Sequence, residues 1–421
     1  MKINRMKQRS ELSRVLSLKD AVAVGLGAII GAGIFVVTGV AAGVAGPAFI
    51  VGLIIAGIIA SFNGLSSAQL AAVYPHSGGT YEYGYRLLSP FFGFSAGWMF
   101  LISKLSAAGV VAIGFGSYSH PLLPAVPPQL ISVGAVTILT VVNLFGIKKA
   151  GVLNLVIVSF TLLSLLYLVF SGIPAVETSN FSPFSPFGAS GIVEAAALLF
   201  FAFTGYARIA TLAEEVHRPE KTIPNAVIIT ILSATLLYTA VSVVSIGVVG
   251  AAKMATGTSP LQAVANTLTT PAIGVIVSIG ASTAMLGVLL SQILGISRMM
   301  LAMGRRKDLP PFFEKVHGRY KVPHLGIIFT GLLILLLTLT GSFEFIVRAA
   351  SFTILLYYSI TNIAALRQPR TEQRYGRVIP VLGLIGCLTM SVSLPMNVIL
   401  TGAGLLLAGF LLRLLFHRAW K

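Results

Sequence analysis

Residues 27–35 read GAIIGAGIF, in the middle of an unbroken apolar run over 18–44. Gly27, Gly31 and Gly33 fall where the middle of a membrane span is expected. Glycine weakens a helix by about 1 kcal/mol relative to alanine. Broken backbone is tolerated at membrane depth only where it is buried in protein or lines a cavity. If the helix unwinds at Gly31-Ala32-Gly33, the next half-helix begins near Ile34 with free N–H groups at its positive end. Such an end suits a carboxylate. The carbonyls closing the first half-helix, near Ile29, suit an ammonium or another cation. Gly27 and Gly31 are also four apart, which fits a small-residue packing face between helices. No strand precedes the glycines, so a dinucleotide-binding loop is a poor reading.

Composition places this segment in a bilayer. The chain has 421 residues, 56% hydrophobic and 10% charged, with a mean hydropathy of +0.92. An ordinary soluble domain carries about 25% charged residues. Here there are too few charges to coat a globular surface, and the hydrophobicity excludes disorder. The formal net charge of +17 at first suggests a nucleic-acid binder. The charge density argues against that and assigns the excess to particular loops of a membrane protein. The single cysteine, Cys387, excludes an internal disulfide and a cysteine-based metal site. It reads as lipid-facing or as core filler.

A bilayer core about 30 Å thick takes roughly 20 apolar residues as helix. Twelve segments qualify: 18–44, 47–73, 91–118, 128–146, 150–172, 191–212, 225–250, 271–297, 324–341, 344–366, 378–393 and 396–416. They are too long for β-barrel strands of about 10 residues. The expected class is therefore an all-α membrane protein with an arm at 1–17 and a tail at 417–421. The first run far exceeds the roughly 7–15 apolar residues of a signal peptide, and is expected to remain as a span. Of the 29 basic residues, all but Lys104, Arg208, Lys253 and Arg348 fall in the arm, in alternate loops on its side, or in the tail. Positive loops stay cytoplasmic, so both termini are expected there. The cluster from Arg298 to Lys321 is expected to meet anionic headgroups, with room for a short interfacial helix before Pro323.

A second interruption lies in the sixth segment, where residues 200–207 read FFAFTGYA. Gly205 is at mid-depth, and Phe201, Ala202, Phe203 and Thr204 can offer free carbonyls and an aromatic wall. Phenylalanines that simply fill a bundle core are the plainer reading. One break presenting N–H groups and one presenting C=O groups suit a zwitterion. Interrupted helices in corresponding positions of two halves point to a transporter site. The breaks are five spans apart, so spans 1–5 and 6–10 would form an inverted repeat, with spans 11 and 12 outside it.

Four stretches carry a family resemblance: GAIIGAGIF at 27–35, PHSGGTYEY at 75–83, FFAFTGYARIATLAEEVHRPEKTIP at 200–224 and SRMMLAMGRRKDLP at 297–310. In this order and spacing they resemble the amino acid–polyamine–organocation (APC) transporters. The resemblance implies the leucine-transporter fold. That fold has a first five-helix repeat (18–172), an inverted second repeat (191–366), broken helices 1 and 6, and two further helices (378–416). It implies alternating access, with an amino acid held between the breaks. Carried over by position, Ala32 and Gly33 would offer backbone N–H groups to the carboxylate. The carbonyls of Ile29, Phe201 and Thr204 would take the ammonium, Gly31, Gly33 and Gly205 would mark the unwound segments, and Phe201 would be an aromatic gate. PHSGGTYEY would be a structural element beside the cytoplasmic gate.

The chain departs from the family pattern at three places. Where many relatives have an acid after the span-six glycine–aromatic pair, it has Ala207, then Arg208. Where some proton-coupled relatives have a lysine in span five, it has Thr161. Lys104 instead lies within span three, and an ionisable residue at that depth is functional by default. It is a candidate for the coupling proton; a structural pairing is the alternative. Ser282 and Thr283 are candidates for a sodium site, although hydroxyls in membrane helices commonly bond to their own backbone. Glu214, Glu215 and Arg208, with Arg218 nearby, are candidates for a cytoplasmic gate; a solvated helix end is the alternative. Glu194 reads as shallow and structural.

The expected function is secondary transport of neutral amino acids, proton-coupled, with exchange or polyamine carriage as the variants. No cofactor, metal or nucleic acid is expected; the partners are the substrate, the lipid bilayer and, if the chain is not a monomer, a second copy. An enzyme would need a catalytic constellation at depth, and no HExxH, GxSxG or paired intramembrane aspartates occur. A channel would need a symmetric filter or charged rings, and neither is visible.

Overall fold

Apolar helices are what a bilayer demands of this sequence, because each backbone group must find its partner within its own segment. The computed structural model describes residues 16–74, 78–146, 151–210 and 216–419. Among these residues every regular element is helical, apart from an isolated bridge between Leu16 and Val216. The helices are α1 (Leu18–Ile29), α2 (Ala32–Ala45), α3 (Phe49–Val73), α4 (Thr80–Tyr83), α5 (Pro90–Ser119), α6 (Pro128–Phe145), α7 (Gly151–Gly172) and α8 (Gly188–Phe200). They continue as α9 (Ala207–Ala210), α10 (Pro219–Met254), α11 (Pro260–Ala265), α12 (Ile273–Arg305), α13 (His324–Thr340), α14 (Phe343–Arg367), α15 (Val378–Val392) and α16 (Met396–Ala419).

Nine helical runs among the described residues are long and apolar enough to cross a membrane, and the longest of them, Ala32–Val73, holds both α2 and α3. Two shorter apolar helices, α13 and α15, add to them. Burial sorts the helices into an inner and an outer set. α2 is buried on nearly every side, the signature of a helix at the centre of a bundle. α16 leaves most of its leucines exposed, as a lipid-facing helix does. Around α2 the packing is specific: α8 and α10 lie against it, α3 packs on α8 and α10, and α1 packs on α10. On the other side α5 packs on α12, α13 and α14, and α12 packs on α7.

Local chemistry sets the helix ends. Ser17 caps α1, with its backbone N–H donating to the Asp20 carboxylate (2.8 Å) and its hydroxyl accepting from the Asp20 N–H. Inside α10, Gly250 has φ 74°, a left-handed conformation that kinks the helix near its end. The expected interfacial helix after α12 is reduced to a single turn, Pro311–Glu314, because α12 itself runs on to Arg305. Lys307 then turns with φ 62°, and Pro310 and Pro311 allow no continuation. Cys387 is fully buried and accepts a hydrogen bond from the Asn63 amide (3.2 Å), so it is core and not lipid-facing.

Candidate functional site

The first segment is interrupted at Ile30–Gly31, the sixth tightens into a 3₁₀ turn without unwinding, and the two stretches face each other. α1 stops at Ile29; Ile30 leaves the helical region with ψ 88°, Gly31 is extended, and α2 starts at Ala32. In the sixth segment α8 stops at Phe200, and Phe201–Tyr206 form a tighter 3₁₀ turn before α9. Such a turn shortens the hydrogen-bond spacing and changes which carbonyls are used. A Cβ on Gly33 would lie 2.6 Å from both the Cα and the Cβ of Ala202. A Cβ on Gly205 would lie 2.1 Å from the Ala28 carbonyl oxygen. The two segments therefore touch backbone to backbone, which only glycine permits; of the three glycines expected to be unwound, Gly31 alone is outside a helix, since Gly33 is the second residue of α2 and Gly205 lies within the 3₁₀ turn.

The N–H groups of Ala32 and Gly33 open α2 with no side-chain cap. The three carbonyls expected to receive an ammonium each already accept one hydroxyl. Tyr238 of α10 donates to Ile29 O (2.8 Å), Thr204 donates to Phe201 O (3.0 Å), and Tyr358 of α14 donates to Thr204 O (3.4 Å). A carbonyl has two lone pairs, so that of Ile29, at the end of α1, retains one; those of Phe201 and Thr204 also belong to the 3₁₀ turn and its own N–H groups. Phe201 is almost fully buried, Phe203 packs on Tyr238, and Phe200 packs edge-on to Tyr358.

Tyr238 and Tyr358 were not singled out from the sequence. The available signal was a tyrosine deep in an apolar run, whose hydroxyl has to find a partner. Tyr118 is a third case. It donates to Phe35 O (2.6 Å) and accepts from the Leu261 N–H (3.0 Å), tying α2 to α11.

The remaining candidates lie elsewhere. Lys104 of α5 sits 5.9 Å from the centre of the Phe100 ring, and among the described residues its ammonium has no carboxylate partner. Phe100 in turn contacts Tyr357, next to Tyr358. Ser282 shares a hydrogen bond with Ser119 (2.8 Å), and Thr283 bonds back to Ile279 O and Gly280 O of its own helix. Thr161 is buried between α7 and α12, bonded to Ile157 O and Gly280 O. Glu194 forms an ion pair with Arg348 of α14 at 3.1 Å, and Arg348 also holds Glu344. Arg208 is exposed on α9, while Glu214 and Glu215 lie outside the described residues. Among the described residues no group of three or more His, Cys, Asp or Glu side chains is placed to hold a metal ion.

Residues 16–417 match the amino acid permease family. The chain belongs to that family. This amino acid permease is 39% identical over 401 residues to an uncharacterized transporter of Mycobacterium tuberculosis, covering 95% of this chain and 90% of that one. It is 30% identical over 438 residues to the branched-chain amino acid permease of Bacillus subtilis, covering 97% and 94%. It is also 30% identical over 420 residues to the methylthioribose transporter of the same organism, covering 93% and 91%. The resemblance to APC transporters is borne out, and the permease is a multi-pass membrane transport protein and not an enzyme.

Proposed function

We propose that this permease is a secondary active transporter of neutral amino acids in the cell membrane, working by alternating access with both termini cytoplasmic. The observation that carries the reading is the pair of interrupted helices meeting at Gly33–Ala202 and Gly205–Ala28. One break offers the N–H groups of Ala32 and Gly33 to a carboxylate. The other, with Ile29, offers carbonyls to an ammonium. The segments 27–35 and 200–207 contain no Asp or Glu, so neither supplies a counter-charge to a cationic side chain. That favours a neutral, apolar substrate, in line with the branched-chain relative.

The packing pairs support a twelve-helix, five-plus-five inverted repeat. Matching span n with span n+5 exchanges α3–α8 with α10–α1, α5–α14 with α12–α7, α5–α6 with α12–α13, and α3–α14 with α10–α7; both members of every pair are packed together. Lys104, uncompensated in span three, is the proposed carrier of the coupling proton. Ser282 and Thr283, already bonded within the protein, are the weaker candidates for sodium. Exchange of one amino acid for another is the second mode consistent with the same site.

The test is reconstitution into liposomes with labelled amino acids under an imposed pH gradient, an imposed sodium gradient, or internal amino acid. Saturable, pH-driven accumulation of a neutral amino acid is expected. No uptake or exchange under any of the three conditions defeats the reading.

A further inference from the structure

Beyond the end of α12, the carboxylate of Asp308 is only 2% exposed, yet it is fully partnered. It accepts Tyr81 Oη at 2.7 Å and Tyr85 Oη at 2.6 Å, and it pairs with Arg413 Nε of α16 at 2.9 Å. Arg413 also donates to Tyr85 Oη (3.0 Å) and to Pro90 O (3.3 Å). Arg306 stacks over the Tyr85 ring at 4.2 Å and pairs with Glu82 at 2.8 Å. Burial first, and the Asp308 charge second, push the Tyr81 hydroxyl far above the ordinary tyrosine range, so it remains a donor. Burying a carboxylate is costly unless charge and hydrogen bonds compensate it.

The segment that Asp308 grips runs on to the proposed substrate site. Tyr81 follows Thr80, the first residue of α4, and the Thr80 N–H donates to Tyr357 Oη (3.3 Å). The Thr80 and Thr361 hydroxyls share a further hydrogen bond (2.7 Å). Tyr357 is followed by Tyr358, whose hydroxyl holds the Thr204 carbonyl. Two steps along the chain, Tyr81 to Thr80 and Tyr357 to Tyr358, thus connect a carboxylate at the end of the bundle to the break in the sixth span.

We propose that Asp308 is a positioning residue for the substrate site: it fixes Tyr81, the α4 segment fixes Tyr357, and Tyr358 holds the Thr204 carbonyl in line for the substrate ammonium. The assignment rests on the amino acid transport reading. It differs from a purely structural role for Asp308 in predicting energetic coupling to Tyr358, a residue it does not touch.

The experiment is a double-mutant cycle on the purified full-length permease, measuring binding of labelled L-leucine, L-alanine and L-phenylalanine alongside thermal stability. Asp308→Asn and Tyr358→Phe are each expected to weaken binding about five- to tenfold, the effect of one charge-assisted or neutral hydrogen bond. Together they are expected to weaken it no more than the worse single variant, because neighbours in one network are non-additive. If Asp308→Asn does not fold, Tyr81→Phe takes its place in the cycle. Loss of stability with unchanged affinity, or a double variant equal to the product of the singles, overturns the assignment and leaves the transport reading standing. Failure of the unaltered permease to bind any of the three amino acids overturns both.

Discussion

Tyr238 reaches from α10 to the point where α1 stops and donates its hydroxyl to the Ile29 carbonyl at 2.8 Å. A broken helix leaves carbonyls without intrahelical partners, and an unpartnered buried acceptor costs about 1–3 kcal/mol. Tyr238→Phe is therefore expected to lower stability by about that amount and to raise the KM for the amino acid. Thermal unfolding in detergent and uptake kinetics in liposomes are the measurements. Unchanged values for both would remove the Ile29 carbonyl from the site.

The contact between Gly33 and Ala202 leaves no room for a side chain. Gly33→Val is expected to abolish substrate binding, and it also costs stability because the Ala202 backbone must shift to admit it, so binding is read on folded protein separated by size-exclusion chromatography. Gly205→Ala is expected to be the more damaging to stability. Its methyl group would meet the Ala28 carbonyl at 2.1 Å, and overpacking of this kind costs about 1–3 kcal/mol or more. Binding by Gly33→Val at the unaltered affinity would place the substrate somewhere else.

Lys104 has an aromatic ring and no carboxylate as its described neighbour. If it carries the coupling proton, Lys104→Ala should still exchange amino acids but should no longer accumulate them in response to an imposed pH gradient. A variant that keeps the full pH-driven uptake would assign the proton to another group.

The Glu194–Arg348 pair joins α8 to α14, with both side chains less than one-fifth exposed. Glu194→Gln should cost about 1.5–3 kcal/mol, the range for a hydrogen bond to a charged group. Arg348→Gln should cost more, since Glu194 and Glu344 would both lose their partner. Melting temperatures of the two variants, compared in the same detergent, decide the order.

Glu82 gives a pH prediction. Burial raises its pKa, but the Arg86 hydrogen bond and the Arg306 charge outweigh this, so the net value lies below the ordinary glutamate range. A carboxyl depressed in the folded state contributes stability above its unfolded pKa and loses it as pH falls through the folded one. The permease should therefore lose stability as pH drops below the ordinary glutamate range and on through the depressed value. Glu82→Gln should be less stable than the unaltered protein at neutral pH and should approach it in acid. A constant gap between the two across that range would show that the pair contributes nothing.

Much of this architecture follows from patterns that a sequence displays directly. Apolar runs of bilayer length mark helices, and glycines at mid-run point to the break at Gly31 and to the stretch around Gly205, which tightens into a 3₁₀ turn instead of unwinding. Helix ends were less predictable, as α12 shows by running eight residues past 297 to Arg305. Hydropathy falls where charges begin, but a helix continues until a residue such as Lys307 turns it. The long-range partners were not visible at all. Tyr238 with Ile29, Arg348 with Glu194, and Tyr81 with Asp308 are separated by more than 150 residues, and periodicity does not register pairs between elements. Lys104 stood out because a charge in an apolar run is conspicuous, whereas tyrosines blend into it.

The burial of Cys387 against Asn63 has a practical side. The only thiol in the chain is sealed inside the protein, so the native permease is close to a cysteine-free background. A spin label or fluorophore attached at newly introduced cysteines, one on α8 and one on α14 for instance, would report distances during transport with no competing reaction at the native thiol.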